Sequence, residues 1–313
     1  MTPHPRRFRF GVELQGPFEG RTWAESAREL EDLGYSTLFV PDHFHQGLGP
    51  MVAMATAAMA TTSLIVAPMV LAADFRNPAV EARELATIDL LFGGRLEVGL
   101  GAGYNPLDYS RSGIPMDPPG VRVGRLIEHT RVLRGLFGGA PFSFEGEHYR
   151  IEDLALVPAP ATPGGPPILI GGGGPRLLQF AAREADIVGV NPSTAAGRND
   201  PRTAQDCLPA AFDAKLEIVR TAAGERFDAL ELNGWLSTVV TTPDARSAAE
   251  RLAPHFSTTV DDLLDAPVLL FGTVDEMVER LQARRVRWGL SYFVVQAGVA
   301  REFATVVARL AGA

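Results

Sequence analysis

The sequence predicts an α/β fold, a (β/α)8 TIM barrel with insertions after several strands. Three observations carry this. Eight strand candidates alternate with helical segments, and such alternation implies parallel βαβ units. A chain of 313 residues is long enough for eight units in one domain, expected to run over 1–313. The chemically unusual residues fall just after strands, where barrels gather their functional side chains. An open doubly wound sheet is the second architecture that the pattern allows.

Residues 8–14 read as the first strand, with Gly11 permitting close approach. Thr22 is suited to cap the next helix, with Glu25 three residues on as its capping-box partner. Ala24, Ala27, Leu30 and Leu33 make the apolar face, and Gly34 ends the helix. Residues 36–40 form the second strand, followed by Pro41-Asp42-His43-Phe44. An alanine- and methionine-rich helix spans 51–60 and a strand 63–69. Asn77-Pro78 opens a helix that runs to about 91 and closes at Gly93-Gly94. The fourth strand, 95–100, leads into Gly101-Ala102-Gly103-Tyr104-Asn105. After a helix over 121–137 the chain turns irregular, with a hairpin around 142–149 and five prolines beyond it.

Ile168-Leu169-Ile170 is the fifth strand. Gly171, Gly172, Gly173 and Gly174 follow, and Pro175 suits the first turn of a helix whose apolar face is Leu177, Leu178, Ala181 and Ala182. A strand, a bare backbone turn and a helix N-terminus together make an anion site, because amides and dipole both favour negative charge there. The sixth strand covers 186–190 and ends at Asn191. A polar stretch over 193–206 is expected to be a mobile loop. A helix over 210–223, a strand over 230–241, helices over 244–253, 260–264 and 273–285, the last strand over 292–296 and a helix over 302–310 complete the pattern. The insertions near 104–120, 138–167, 193–209 and 254–268 are where substrate information would lie.

Composition removes several function classes. A net charge of −8 argues against nucleic-acid binding, which needs a basic surface. No run of eighteen apolar residues exists, so no membrane span is expected. The short basic start, 1–9, lacks an apolar stretch and points to the cytoplasm. Cys207 is the one cysteine, which excludes a disulfide framework and a cysteine-rich metal site. Glu128-His129 lacks the paired spacing of a zinc motif, and no metal is expected. Lys215 is the one lysine, set on a helix. That counts against a Schiff-base aldolase, and the glycine run has no P-loop lysine.

Three segments carry a family resemblance. They are Phe39-Val40-Pro41-Asp42-His43; the block formed by Arg76-Asn77-Pro78, Glu84-Leu85-Ala86-Thr87-Ile88-Asp89 and Gly93-Gly94-Arg95-Leu96-Glu97-Val98-Gly99-Leu100-Gly101-Ala102-Gly103; and Pro166-Pro167-Ile168-Leu169-Ile170-Gly171-Gly172-Gly173-Gly174. Together they resemble the luciferase-like monooxygenase superfamily of flavin- and deazaflavin-dependent enzymes, most closely its coenzyme F420-dependent oxidoreductase branch. The similarity runs from about 8 to 190 and is weak in the final third.

The resemblance implies a ring-bearing cofactor in the barrel mouth, with its phosphate on the amides of Gly172, Gly173 and Gly174. It implies a bend after the third strand through a cis peptide at Met69-Val70, placing Met69, Val70, Leu71 and Ala72 against the ring. Gly103, Asn105 and Asn191 are further implied cofactor contacts. His43 is the first catalytic candidate, because imidazole can hydrogen-bond the cofactor or relay a proton near neutral pH. Asp42 either touches the ring or orients His43, and His45 is expected to be exposed. Tyr104 stands where sugar-phosphate dehydrogenases of this branch carry a proton-donating acid. A phenol is a poor acid near pH 7, so Tyr104 is read as a hydrogen-bond donor or stacking group, and sugar-phosphate chemistry is placed in doubt.

Glu13 and Gln15 are second-tier candidates, Trp235 and Gln296 candidates for the substrate side, and Arg76 a scaffold residue. The implied reaction passes a hydride between the deazaflavin C5 of coenzyme F420 and a small organic substrate, by reducing an activated C=C or C=N bond or dehydrogenating an alcohol. The alternatives are an FMN-dependent monooxygenase and a non-catalytic flavin-binding relative. Helix 51–60 is a candidate homodimer interface.

Overall fold

The eight expected strands appear where the apolar runs placed them. The computed structural model describes residues 6–194 and 201–313; the start of the basic N-terminal stretch and residues 195–200 of the expected loop lie outside the described residues. The described strands are β1 Arg9–Glu13, β2 Thr37–Val40, β3 Ile65–Pro68, β4 Leu71–Ala72, β5 Val98–Gly101, β6 Phe142–Glu145, β7 Arg150–Leu154, β8 Ile168–Gly172, β9 Ile187–Val190, β10 Glu231–Leu236, β11 Thr238–Thr241, β12 Leu269–Gly272 and β13 Leu290–Gln296. Eight of them (β1, β2, β3, β5, β8, β9, β10 and β13) are the eight expected strands, and helices follow them in the order of a (β/α)8 barrel. Among the described residues no helix is long and apolar enough to cross a membrane.

Several elements differ from the expectation. The stretch 230–241 is two strands, and β11 pairs in parallel with β12, from Thr238↔Leu269 to Thr241↔Gly272. β12 was not anticipated, because a continuous apolar run carries no alternation to mark it as a strand. Helix Pro106–Ser112 occupies the insertion after β5, and helix Pro201–Gln205 falls where a loop was expected.

The chain divides into two compact units. The first comprises Met1–Glu13, Glu29–Thr37 and Gly171–Ala313. In it β1, β13, β10 and β9 lie side by side in parallel, with Gly11 opposite Val294 and Asn233 opposite Tyr292. β13 reads Leu-Ser-Tyr-Phe-Val-Val-Gln, and every residue but the last is buried, as a strand covered on both faces requires. Phe10 lies 6.3 Å from Phe293 and 5.8 Å, edge-on, from Phe303. A smaller core gathers Leu263, Leu269 and Phe271 with Ala249 under helix Ala245–Phe256.

The second unit comprises Leu14–Arg28 and Leu38–Ile170. β5 runs parallel to β4 and to the start of β8, pairing Leu71↔Leu100 and Val98↔Ile168. The Met69 amide donates to Val40 O at 2.9 Å. Asn77 caps helix Pro78–Leu91 by accepting from the Ala79 amide at 2.9 Å, the role its place before Pro78 predicts. Thr22 and Glu25 form the expected capping box, with backbone-to-side-chain bonds of 2.7 and 3.2 Å. His129 is a packing residue, buried with its Nε2 2.8 Å from Glu81 Oε1. The hairpin β6–β7 is antiparallel. Its turn is tied down by Glu128, which accepts from the amides of Glu147, His148 and Tyr149 at 2.8, 2.8 and 3.2 Å.

Candidate functional site

Three of the expected residues cluster in the second unit, just past β2 and β5. Asp42 is buried. It accepts from both guanidinium nitrogens of Arg76, at 2.5 and 2.8 Å, and from the Ala72 amide at 3.1 Å. Burial opposes the charge on Arg76, but the hydrogen bond and charge of Asp42 more than restore it. Arg76 is therefore the scaffold residue it was expected to be, and it engages the candidate acid directly.

His43 is held by a different carboxylate. Its Nδ1 lies 2.7 Å from Asp108 Oδ2, so Asp108, not Asp42, orients the ring. Asp108 Oδ1 also meets His45 Nδ1 at 2.9 Å and accepts from the Phe44 amide at 2.9 Å. The Asp108 side chain is 3% exposed. Burial acts to raise its pKa, yet the hydrogen bonds from His43, His45 and Phe44 outweigh that and hold it below the usual carboxylate range. His45 is exposed, as expected, but tied to the same oxygen that caps Phe44.

Sequence reasoning missed Asp108. The signal was present: Asn105-Pro106 is a helix start, and an acid two residues later belongs in a first turn. Asn105 accepts from the Leu107 amide at 3.1 Å, which makes its side chain the cap of helix Pro106–Ser112. Tyr104 is 41% exposed and meets the His43 ring edge-on, with centroids 5.9 Å apart. Gly103 has φ +68°, and a Cβ there would run into the Tyr109 hydroxyl. That hydroxyl donates to Asp74 at 2.8 Å, and burial together with Asp74 pushes the phenol pKa up. Arg122 donates to the Gly103 carbonyl and, at 3.3 Å, to that of Ala102.

His43, His45 and Asp108 also form a group whose ligand atoms all lie within 4.8 Å. Neighbouring ligands of a tetrahedral zinc with bonds of about 2.0–2.1 Å are about 3.3 Å apart. The 2.7 and 2.9 Å separations here are hydrogen-bond lengths.

The Met69–Val70 peptide is cis, at the bond the resemblance indicated. Leu71 and Ala72 are buried, Met69 and Val70 half-buried. The glycines of β5 make room for this segment: a Cβ on Gly101 would come within 2.5 Å of Val70 Cγ2, and one on Gly99 would meet the Pro68 carbonyl.

The glycine turn belongs to the first unit. Gly174 caps helix Pro175–Glu184 with no side-chain hydrogen bond, so the helix N-terminus is bare backbone suited to an anion. The Asn191 amide donates to Gly172 O at 3.1 Å. A Cβ on Gly173 would collide with the backbone of Asn191, Pro192 and Ser193; one on Gly172 would meet Leu177; one on Gly174 would meet nothing within 4 Å. Asn191 Oδ1 is buried with no hydrogen-bond partner among the described residues. Just beyond, the Ser193 amide donates to Asp206 at 2.6 Å, and Lys215 pairs with the same carboxylate oxygen at 2.6 Å. In the same unit Glu13 ends β1, and burial pushes its carboxyl up to about 7. Trp235 is half-buried and Gln296 is exposed.

The profile described as luciferase-like monooxygenase matches residues 7–200. An F420-dependent glucose-6-phosphate dehydrogenase of Intrasporangium calvum is 31% identical over 179 residues, 54% of this chain and 53% of that protein. One of Nakamurella multipartita is 30% identical over 241 residues, 74% of this chain and 67% of that protein. The match to the first thus spans about half of its length. The coenzyme F420-dependent tetrahydromethanopterin reductase of Methanopyrus kandleri superposes with a TM-score of 0.74 at 19% identity, covering 96% of this chain and 97% of that one; this likeness is one of fold.

Proposed function

Because the chain belongs to the luciferase-like monooxygenase family, we propose that it is a coenzyme F420-dependent oxidoreductase acting on a small organic substrate. The observation that carries the reading is the His43 ring, fixed by Asp108 at 2.7 Å beside Tyr104. The F420-dependent relatives support the choice of cofactor. When bound, the deazaflavin supplies a two-electron hydride carrier.

This chain's own residues do the rest. Gly172, Gly173, Gly174 and the bare helix start at Pro175 take the phosphate. Met69, Val70, Leu71 and Ala72 back the ring, with Gly103 and Asn191 as further cofactor contacts. Asn105 contributes by holding helix Pro106–Ser112, and Asp42 by tying Ala72 and Arg76 to the end of β2. His43 presents Nε2 to the reacting group, where it holds or accepts a proton, and Tyr104 donates a hydrogen bond. The substrate class is an alcohol, or an activated C=C or C=N bond. Tyr104 in place of an acid argues against a sugar phosphate.

Titration of the purified protein with F420 and, separately, with FMN tests the reading by fluorescence. F420 binding is the expected result. Tight FMN binding with none for F420 would replace it with the FMN-dependent monooxygenase. We also propose a homodimer through the helix Pro50–Ala60, where Val52 and Met59 are 72% and 75% exposed. Large exposed apolar side chains on one helix suit a protein partner, and light scattering would show a monomer if the assignment is wrong.

A further inference from the structure

We infer that Asp108 is a positioning residue that fixes both imidazoles of the His43-Phe44-His45 turn in one tautomer, with Nδ1–H toward the carboxylate and the Nε2 lone pair turned away. The inference rests on the proposed function only for the use made of His43; the tautomers follow from Asp108 alone.

The chemistry leaves one arrangement. An ionised carboxylate only accepts hydrogen bonds. Asp108 is 3% exposed, and its oxygens are shared among three groups: Oδ2 with His43 Nδ1 at 2.7 Å, Oδ1 with His45 Nδ1 at 2.9 Å and the Phe44 amide at 2.9 Å. Each facing imidazole nitrogen must therefore carry its proton, and a neutral ring then keeps Nε2 as an acceptor. The two rings lie 5.3 Å apart, centroid to centroid. One carboxylate thus turns a His-x-His turn into a pair of acceptors, ready for a ligand bearing O–H or N–H donors. A histidine left to local backbone groups would have no such shared constraint.

Asparagine cannot do the same. Its carboxamide has one accepting oxygen and one donating nitrogen. With that oxygen kept by the Phe44 amide and His45, the NH2 faces His43 Nδ1 and forces that ring into the Nε2–H tautomer.

Side-chain nitrogen NMR reads this directly in the 15N-labelled, cofactor-free protein at alkaline pH. Six histidines are present, and His43→Gln and His45→Gln assign the two signals. The parent should show Nδ1–H on both rings. Asp108→Asn should invert His43 while His45 keeps its pattern, and Asp108→Ala should release both, with the backbone amide spectrum reporting the fold. Nε2–H on both rings of the parent would overturn the inference, even if every variant failed to fold. So would unchanged tautomers in a folded Asp108→Ala protein. Chelator-reversible collapse of both rings onto a metal-bound pattern in protein as purified would also overturn it, in favour of a metal site. F420 titration of the same samples separates the two readings: a protein with these tautomers that binds no F420 loses the proposed function and keeps the assignment of Asp108.

Discussion

Arg76 grips Asp42 with both terminal guanidinium nitrogens, at 2.5 and 2.8 Å, across 34 residues of sequence. The same carboxylate receives the Ala72 amide at 3.1 Å, so one ion pair ties the end of β2 to the chain just past the Met69–Val70 bond. The Asp42 side chain is 6% exposed and that of Arg76 22%. Removing one partner of a buried pair leaves a charge without compensation. Arg76→Met is expected to cost about 2–3 kcal/mol, below the full buried-pair range because Arg76 is partly wet. Urea unfolding checks this, and a midpoint equal to the parent's would show that the pair contributes nothing.

That pair also marks how far the sequence could be read. Asp42 and His43 were visible as an acid and an imidazole just after a strand. The Asn77 cap, the Thr22–Glu25 box and the glycine turn were visible because each is a local pattern, closed within a few residues. The partners of Asp42 and His43 were not, since Arg76 and Asp108 lie 34 and 65 residues away. Adjacency in sequence suggested that Asp42 orients His43, whereas the fold gives each its own partner. Asp108 was further hidden on a seven-residue helix inside an insertion, too short to show an apolar period. β12 escaped for a related reason: four buried residues in a row look the same in a strand as in a covered helix.

The glycine turn separates folding from binding at neighbouring positions. A Cβ on Gly173 would lie 2.6 Å from the Ser193 amide nitrogen, so Gly173→Ala must push backbone aside. Overpacking of this kind costs roughly 1–3 kcal/mol. Gly174 has φ −80°, and a Cβ there meets nothing within 4 Å. Gly174→Ala should therefore keep stability within about 1 kcal/mol, the difference between a glycine and an alanine cap. It should still weaken F420 binding about tenfold or more, by placing a methyl group where a phosphate would approach the helix start. Parent-like F420 affinity in Gly174→Ala would move the phosphate elsewhere.

Glu128 offers a test of the hairpin. Its carboxylate accepts from the amides of Glu147, His148 and Tyr149. Burial acts to raise its pKa, but these three bonds prevail and lower it. A hydrogen bond to a charged group contributes about 1.5–3 kcal/mol. In Glu128→Ala the exchange rates of these three amides should rise by about tenfold or more, since each 1.4 kcal/mol is a factor of ten. Unchanged exchange would mean that the turn holds without Glu128.

Glu13 predicts a pH dependence with a definite sign. Burial raises its carboxyl from the ordinary 4.5 to about 7, so the folded protein favours the protonated form. Below about 4.5 both folded and unfolded chains carry the proton, and the contribution is fully present. Between there and 7 the unfolded chain releases its proton first. Stability therefore falls as pH rises through this window, then levels above it. Glu13→Gln has no proton to lose. Going from about pH 4 to about pH 8, the parent should lose on the order of 1–3 kcal/mol that the variant keeps. Parallel stability curves for the two proteins would mean that Glu13 is ionised throughout, and would remove it as a group able to hold a proton near neutral pH.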